Sequence, residues 1–263
     1  AIILTIAIII PVCEFVIEII QYTLGKIVKP KLIPKMDFAE GIDEENATFV
    51  VIPTIIKSKE KVEELFRKLE VYYLANESEN LYFALLGDCS ESDQREEKFD
   101  KEVEEAGIKL VEKLNQKYPN SKFPIFSFLY RERKYNNGEE KYLGWERKRG
   151  LLTQFNEYIL KHERNKFKIN TIDQQILPQI KYVITLDADT ELILNSAFEL
   201  IGAMAHILNK PEIDENKNIV VKGYALMQPR VGINLDISNK NLFTKIFAGA
   251  GGIDNYTNAI SDV

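Results

Sequence analysis

The sequence is poor in the residues that build zinc sites and disulfide frameworks. Its 263 residues include two cysteines, Cys13 and Cys89, and two histidines, His162 and His206. The histidines lie in different segments without a zinc-binding spacing, and so few cysteines fit a reducing compartment. We therefore expect any metal site in this chain to lack thiolate ligands.

The sequence also lacks the common phosphate-loop motifs and an excess of positive charge. It contains no G-x-x-x-x-G-K-[ST] segment, and no G-x-G-x-x-G follows the first predicted strand, which removes the usual phosphate-loop nucleotide-binding proteins. The net charge of −6 argues against a protein that binds nucleic acid over its whole surface. With 45% apolar and 28% charged residues, the composition is that of a globular protein, and we predict no nucleic-acid partner.

The N-terminal segment, residues 1–30, is the most apolar part of the chain. Ala1–Leu24 approaches the ~20 residues that a bilayer span needs. Glu14 and Glu18 share one helical face, which should meet protein, water or headgroups, and the lysines that follow favour the cytoplasmic side. We predict a membrane-spanning or interfacial helix at 1–30, a linker at 31–47 and one cytoplasmic domain at 48–263. A buried helix of a soluble domain is the alternative for the first segment.

Short apolar runs alternate with segments of helical spacing along the rest of the chain. Strands are predicted at Phe49–Ile56, Leu81–Leu86, Phe123–Tyr130, Tyr182–Leu186 and Ile219–Leu226. A charged hairpin or loop is predicted at Arg131–Lys141. This order predicts an α/β fold with a mostly parallel sheet and helices on both of its faces.

Two carboxylates follow the strand predicted at Tyr182–Leu186. Asp187 and Asp189 come directly after it, and ligands gather at the carboxyl ends of strands in open α/β sheets. Mg²⁺ favours a few protein carboxylates together with water and phosphate oxygens. We predict that Asp187 and Asp189 are metal ligands. The alternative is a turn that starts at Asp187 and a helix cap at Asp189 or Thr190.

A basic run at the start of a helix is the second informative motif. Arg147, Lys148 and Arg149 precede Gly150, and a helix N-terminus with adjacent cations suits a diphosphate. The alternative is a solvated basic run.

Polar residues also follow the first two predicted strands, and with the acidic and basic motifs they describe a nucleotide-sugar site. Thr54 lies near the carboxyl end of the first strand. Asp88 follows the second strand, where it could accept hydrogen bonds from a uracil ring or ribose; a turn residue is the alternative. The predicted donor-binding residues are Thr54, Asp88, Arg147, Lys148 and Asp187. A cation there would neutralise the charge that grows on the departing nucleoside diphosphate. The acceptor needs a general base; Asp254 is one candidate, but a turn residue fits that position better.

Several stretches of the chain resemble the glycosyltransferase region of cyclic β-1,2-glucan synthases and, more distantly, cellulose-synthase-type processive transferases of the GT-A fold. The resembling stretches are Phe38–Ile42, Val50–Thr54, Leu85–Asp88, Gly144–Gly150, Tyr182–Thr190, Met204–Pro211, Gly223–Val231 and Gly249–Val263. They are spread over most of the chain, so the resemblance is more specific than one Asp-x-Asp motif.

The resemblance implies a UDP-glucose donor, a glucan acceptor and an inverting transfer at the cytoplasmic face of the bacterial inner membrane. It implies Mg²⁺ or Mn²⁺ on Asp187 and Asp189 together with UDP, Asp88 beside the uridine and Lys148 beside the diphosphate. Synthases of this family also carry further membrane helices and a phosphorylase-like region. The resemblance places the catalytic base beyond Val263, so we expect this fragment to bind the donor with little or no turnover.

Two other classes of protein remain as alternatives. Asp187, Asp189 and Thr190 also resemble the Asp-x-Asp-x-Thr motif of haloacid-dehalogenase-like phosphatases, although Thr190 directly follows Asp189; in that class Asp187 would be the nucleophile and Asp189 the acid and base. That motif normally opens its domain, whereas here a long α/β pattern precedes it. The second alternative is a membrane-tethered domain that keeps the fold without catalysis.

Overall fold

The computed structural model describes residues 2–27, 33–161 and 167–229. The helices are α1 (Ile2–Ile27), α2 (Lys59–Ala75), α3 (Lys98–Lys117), α4 (Arg147–Lys161) and α5 (Ser196–Ala205). The strands are β1 (Thr48–Ile56), β2 (Leu81–Cys89), β3 (Phe126–Tyr130), β4 (Lys134–Asn136), β5 (Lys141–Leu143), β6 (Ile169–Asn170), β7 (Tyr182–Thr185), β8 (Glu212–Asp214) and β9 (Ile219–Lys222). The chain divides into two compact units, Lys35–Ile207 and a second unit made of Ala1–Pro34 with Leu208–Val263.

A five-stranded sheet in the order β6-β3-β2-β1-β7 forms the centre of the unit Lys35–Ile207. β1 pairs in parallel with β2 and β7, and β2 pairs in parallel with β3. The two-residue strand β6 is antiparallel to β3 and closes one edge. Every residue of β2 is buried, as expected for a parallel strand that is covered on both faces. The predicted mostly parallel sheet is therefore confirmed.

Helices cover both faces of this sheet, as the sequence predicts. Side chains that alternate along a strand point to opposite faces. Ile52 and Phe83 pack in one hydrophobic cluster with residues of α2, α3 and α5. Val51 and Ala84 pack in a second cluster, against residues of α4. The sheet thus separates α4 from the other three helices of this unit.

The last predicted strand does not join the central sheet, so that expectation is wrong. Its first half forms β9, which pairs antiparallel with β8 in a separate two-stranded sheet. The turn between them is closed locally, since Asp214 accepts hydrogen bonds from the N–H groups of Asn216 (3.0 Å) and Lys217 (3.2 Å). A short hairpin imposes antiparallel pairing, whereas addition to a parallel sheet needs a longer crossover.

The N-terminal segment forms the helix α1, which contains Pro11. Across the parts of the chain that the structure describes, no helix combines the length and apolar character that crossing a bilayer requires. Two features of the sequence, Asp254 and the stretch Gly249–Val263, lie outside the described residues.

Thiol labelling tests the packing at the end of β2. Burial raises the pKa of Cys89 to about 11, and its Sγ donates to the carbonyl of Arg131 (2.8 Å). Because the thiolate is the nucleophile, Cys89 should stay protonated and unreactive toward an aromatic disulfide reagent at pH 8. The exposed Cys13 should react fast in the native chain, and the second thiol only after denaturation. Fast native labelling of a Cys13→Ser variant would contradict this packing.

Candidate functional site

A tight turn after β7 carries the two acidic residues predicted to bind metal. The N–H of Leu186 donates to a β1 carbonyl (2.9 Å), and the N–H of Thr190 donates to the carbonyl of Asp187 (3.0 Å). Leu186 is buried and Ala188 packs against the same hydrophobic cluster, whereas Asp187 and Asp189 are exposed. Because packed and exposed side chains alternate along this turn, both carboxylates lie outside the core at the carboxyl end of β7.

The helix α2 holds the backbone of this turn from the side. Lys68 Nζ donates to the carbonyl of Ala188, and the Tyr72 hydroxyl donates to the carbonyl of Thr190, both at 2.6 Å. Burial, with a smaller effect of the Glu191 charge, raises the pKa of Tyr72, so its hydroxyl remains a donor at neutral pH. These bonds fix the turn through its main chain and do not involve the carboxylates of Asp187 and Asp189.

An ion pair joins the acidic turn to the first turn of α4. Lys148 Nζ contacts Asp187 Oδ1, and the two side chains are 49% and 59% exposed. Two motifs that are far apart in the sequence, the basic run and the Asp-x-Asp segment, therefore meet at the carboxyl edge of the sheet. A nearby cation and carboxylate suit a ligand that carries both phosphate and a bound divalent ion.

A second ion pair, between Asp88 and Arg131, is buried at the same edge. Arg131 Nε donates to Asp88 Oδ1 (2.6 Å) and Nη2 donates to Oδ2 (2.5 Å), and each side chain is only 2% exposed. The N–H of Cys89 also donates to Asp88 Oδ1 (2.9 Å). Asp88 is therefore engaged on both carboxylate oxygens, and its predicted contact with a uridine stays a prediction.

The same arginine holds the loop that leads into α4. Arg131 Nη1 donates to the carbonyl of Trp145 (2.8 Å), and Nη2 donates to the carbonyl of Arg147 (2.6 Å). Glu146 and Arg147 have positive φ values of 52° and 45°, a conformation that needs support from its surroundings. The buried guanidinium supplies that support, and so it determines where the basic helix begins.

Two glycines let this loop approach its neighbours. A Cβ added to Gly144 would lie 2.7 Å from Arg131 Nε and closer still to Asp88. A Cβ added to Gly150 would lie 2.8 Å from the carbonyl carbon of Trp145. Gly150 is buried, so within the basic run it serves close packing of the loop on α4.

The remaining predicted site residues occupy the same edge with different surroundings. Thr54 is half-buried and lies opposite Gly87 in the pairing of β1 with β2. Arg147 is exposed and its side chain contacts Glu91 (3.3 Å) and Glu139 (3.2 Å). Direct side-chain contact within the predicted set is seen between Lys148 and Asp187.

Three residues that support the site were missed in the sequence. Arg131 falls in the predicted charged hairpin or loop, and Lys68 and Tyr72 lie on α2, where the apolar spacing predicts packing and no role in a site. One signal was available. Arg131 directly follows a predicted buried strand, Asp88 follows the strand before it in sequence, and a charge at a buried strand end needs a partner.

The acidic turn has a donor set that fits a hard divalent cation. Asp187 and Asp189 supply carboxylate oxygens. They are a pair only, since the structure's described residues contain no cluster of three or more His, Cys, Asp or Glu side chains able to hold a metal ion. Two carboxylates leave the other positions to water and phosphate oxygens, which is the coordination that Mg²⁺ prefers. The residues therefore fit a cation that binds together with a phosphorylated ligand.

The fold is that of an α/β protein whose polar side chains gather at the carboxyl ends of parallel strands, where such sheets bind ligands. No family model matches the chain. Over 237 residues, 89% of this chain, the sequence is 37% identical to the cyclic beta-(1,2)-glucan synthase NdvB of Rhizobium meliloti (strain 1021). The chain spans 8% of the length of that relative. The resemblance to cyclic β-1,2-glucan synthases is thereby confirmed, as a similarity to one region of such a synthase.

Replacing the acidic residue of each ion pair compares the contribution of the buried pair to stability with that of the exposed pair. Asp88→Asn leaves Arg131 charged and buried without its partner, so the free energy of unfolding should fall by about 3–5 kcal/mol. Asp187→Asn removes the partner of the exposed Lys148 and should change the free energy of unfolding by less than about 1 kcal/mol. Urea denaturation of both variants measures the difference, and equal losses would contradict the burial of the Asp88 pair.

The close approach of Gly144 is tested with a matched glycine from the neighbouring hairpin. Gly144→Ala pushes a methyl group into the Asp88–Arg131 pair and should cost about 1–3 kcal/mol. Gly138→Ala meets only the side-chain oxygen of Asn136, at 3.3 Å, and should cost less than about 0.5 kcal/mol. Thermal unfolding of the two variants provides the comparison. A neutral Gly144→Ala would show that the loop is not packed against this ion pair.

Proposed function

We propose that this chain is the donor-binding part of a glycosyltransferase that uses UDP-glucose to extend a β-1,2-linked glucan with inversion at the anomeric carbon. The observation that carries the proposal is the contact of Lys148 with Asp187, since it joins a basic helix start to an acidic turn. The similarity to a region of a β-(1,2)-glucan synthase supports the same activity.

In this proposal the diphosphate of the donor binds at the first turn of α4. Lys148 and Arg147 supply positive charge, and the helix N-terminus adds its partial charge. Asp187 and Asp189 would hold Mg²⁺ or Mn²⁺, which when bound neutralises charge on the departing nucleoside diphosphate. The Lys148–Asp187 pair is exposed and worth at most about 1 kcal/mol, so little opposes its opening when each partner turns to the ligand.

The nucleoside would lie toward the neighbouring strands, beside Thr54 and Asp88. Asp88 stays paired with Arg131 in the proposal, because a buried charge left without its partner costs about 3–5 kcal/mol. A carboxylate has about four acceptor positions, and Arg131 with the Cys89 N–H occupies three of them, which leaves one acceptor position on Asp88. Asp88 would thus accept one bond from the nucleoside while it positions the loop before α4.

The chain would act at a membrane and together with further parts of a larger enzyme. We assign no general base among the described residues, and we expect no appreciable turnover from this chain alone. The helix α1 would associate with the cytoplasmic face of the inner membrane as an interfacial helix. The acceptor glucan and the rest of a large synthase, including a phosphorylase-like region, would be its partners.

Calorimetric titration with UDP-glucose tests the proposal. We expect saturable binding in the presence of Mn²⁺ and at least tenfold weaker binding in its absence, because the cation bridges the carboxylates and the diphosphate. Asp189→Ala should lose the metal-dependent part of binding. Lys148→Ala should weaken binding about tenfold, since it removes a charge-assisted contact with phosphate.

The matched control is Arg149→Ala. Arg149 follows Lys148 on the same helix but pairs with Glu146 (2.9 Å), so its loss should leave donor binding unchanged. Binding that ignores metal, or equal effects of the Lys148 and Arg149 variants, would contradict the proposed site. Hydrolysis of small phosphoesters that depends on Asp187 would instead favour the phosphatase alternative.

A further inference from the structure

A groove opens beside α4, between this helix and the hairpin formed by β4 and β5. Its volume is about 760 Å³, within the range of roughly 300–1,000 Å³ found for small-molecule sites. Its main side chains are Tyr135, Asn136, Trp145, Thr153, Gln154 and Glu157. The helix buries Leu151 and Phe155 on its opposite side, so α4 separates the core from this groove.

Two exposed aromatic side chains lie in this groove. Within the described part of Lys35–Ile207, the aromatic residues that are exposed are Tyr135 (53%) and Trp145 (51%), and both line it. The Tyr135 ring is braced by Tyr142, with ring centroids 5.1 Å apart. Large exposed rings indicate a binding surface, because covering their apolar faces with a ligand removes them from water, which is favourable.

The polar side chains of the groove are mostly neutral. Asn136, Thr153 and Gln154 offer amide and hydroxyl groups that both donate and accept hydrogen bonds. The charged lining residues are one lysine, Lys134, and one glutamate, Glu157, so the groove has no net charge. Aromatic faces combined with neutral hydrogen-bonding groups suit an uncharged polyhydroxylated ligand, whose C–H faces stack on rings while its hydroxyls bond to amides.

The groove is directly connected to the proposed donor site. Arg131 Nη1 donates to the carbonyl of Trp145 (2.8 Å) and reaches Gln154 Oε1 (3.5 Å), while its other nitrogens hold Asp88. Trp145 precedes Lys148 by three residues, which span at most about 11 Å of chain. A sugar chain in the groove would therefore lie within a few sugar rings of the proposed diphosphate contacts.

We propose that the groove lined by Tyr135, Trp145 and Gln154 binds the β-linked glucan chain that accepts the transferred sugar. This assignment rests on the proposed function, because it takes the glucan as the neutral ligand. It divides the surface around α4 into a charged side for the nucleotide diphosphate and an aromatic, neutral side for the oligosaccharide.

Trp145 is the single tryptophan of the chain, so the protein carries its own reporter for this test. β-1,2-linked glucooligosaccharides are titrated into the full chain without UDP-glucose or metal, and tryptophan emission is followed. A sugar ring stacked on the half-exposed indole should shift the emission to shorter wavelength in a saturable way. Maltooligosaccharides, which are α-1,4-linked, should give at least a tenfold weaker response.

Variants decide whether the groove itself binds. Tyr135→Ala should weaken the affinity for the β-1,2-linked oligosaccharide about tenfold, which corresponds to about 1.4 kcal/mol. Tyr224→Ala is the aromatic control, since Tyr224 is exposed but does not line the groove, and it should change nothing. By calorimetry, Trp145→Phe should retain binding and Trp145→Ala should lose it. Far-UV circular dichroism identical to the parent chain confirms that each variant is folded.

The outcomes separate this proposal from the proposed function. An unchanged emission spectrum in a chain that still binds UDP-glucose overturns the acceptor groove and leaves the donor site intact. An equal response in Tyr135→Ala, or an equal response to maltooligosaccharides, also overturns it. A saturable shift in a chain that fails to bind UDP-glucose supports a glucan-binding groove and removes the donor proposal.

Discussion

The carboxyl edge of the sheet depends on the buried ion pair between Asp88 and Arg131. Two charges removed from water are tolerated only when each meets the other in good geometry and the remaining donors are satisfied. Here the carboxylate takes two guanidinium bonds, and the guanidinium also donates to the carbonyls of Trp145 and Arg147. The ends of β2 and β3 are thereby joined to the loop before α4, which positions the basic helix start and one wall of the aromatic groove.

Rigid and adjustable contacts are separated at this edge. The backbone of the acidic turn is held by Lys68 and Tyr72, and the loop opposite by Arg131, so the frame of the site is built from buried or half-buried groups. The side chains that would meet a ligand, Lys148 and Asp187, are joined by an exposed pair of low strength. In such an arrangement the backbone of the site is held in place. The exposed ion pair can open, so that each of its two side chains can contact a ligand instead.

The helix α4 organises two different surfaces because its residues face three directions. Its apolar side packs on the sheet, its first turn meets the acidic turn, and the side with Thr153 and Gln154 faces the groove. Charged and neutral surfaces on one short helix would let a nucleotide and a sugar chain bind next to each other without competing for the same groups. The rigid loop held by Arg131 would keep the two surfaces in a constant relation.

The sequence by itself determined the alternating strands and helices, the two covered faces of the sheet, and the place of Asp187 and Asp189 after a strand, because these follow from local periodicity. Tertiary structure alone decided that Lys148 meets Asp187 and that Asp88 is buried against Arg131, 43 residues away. Contacts between residues distant in sequence depend on how whole elements pack, and a single sequence contains no local pattern that identifies the partners.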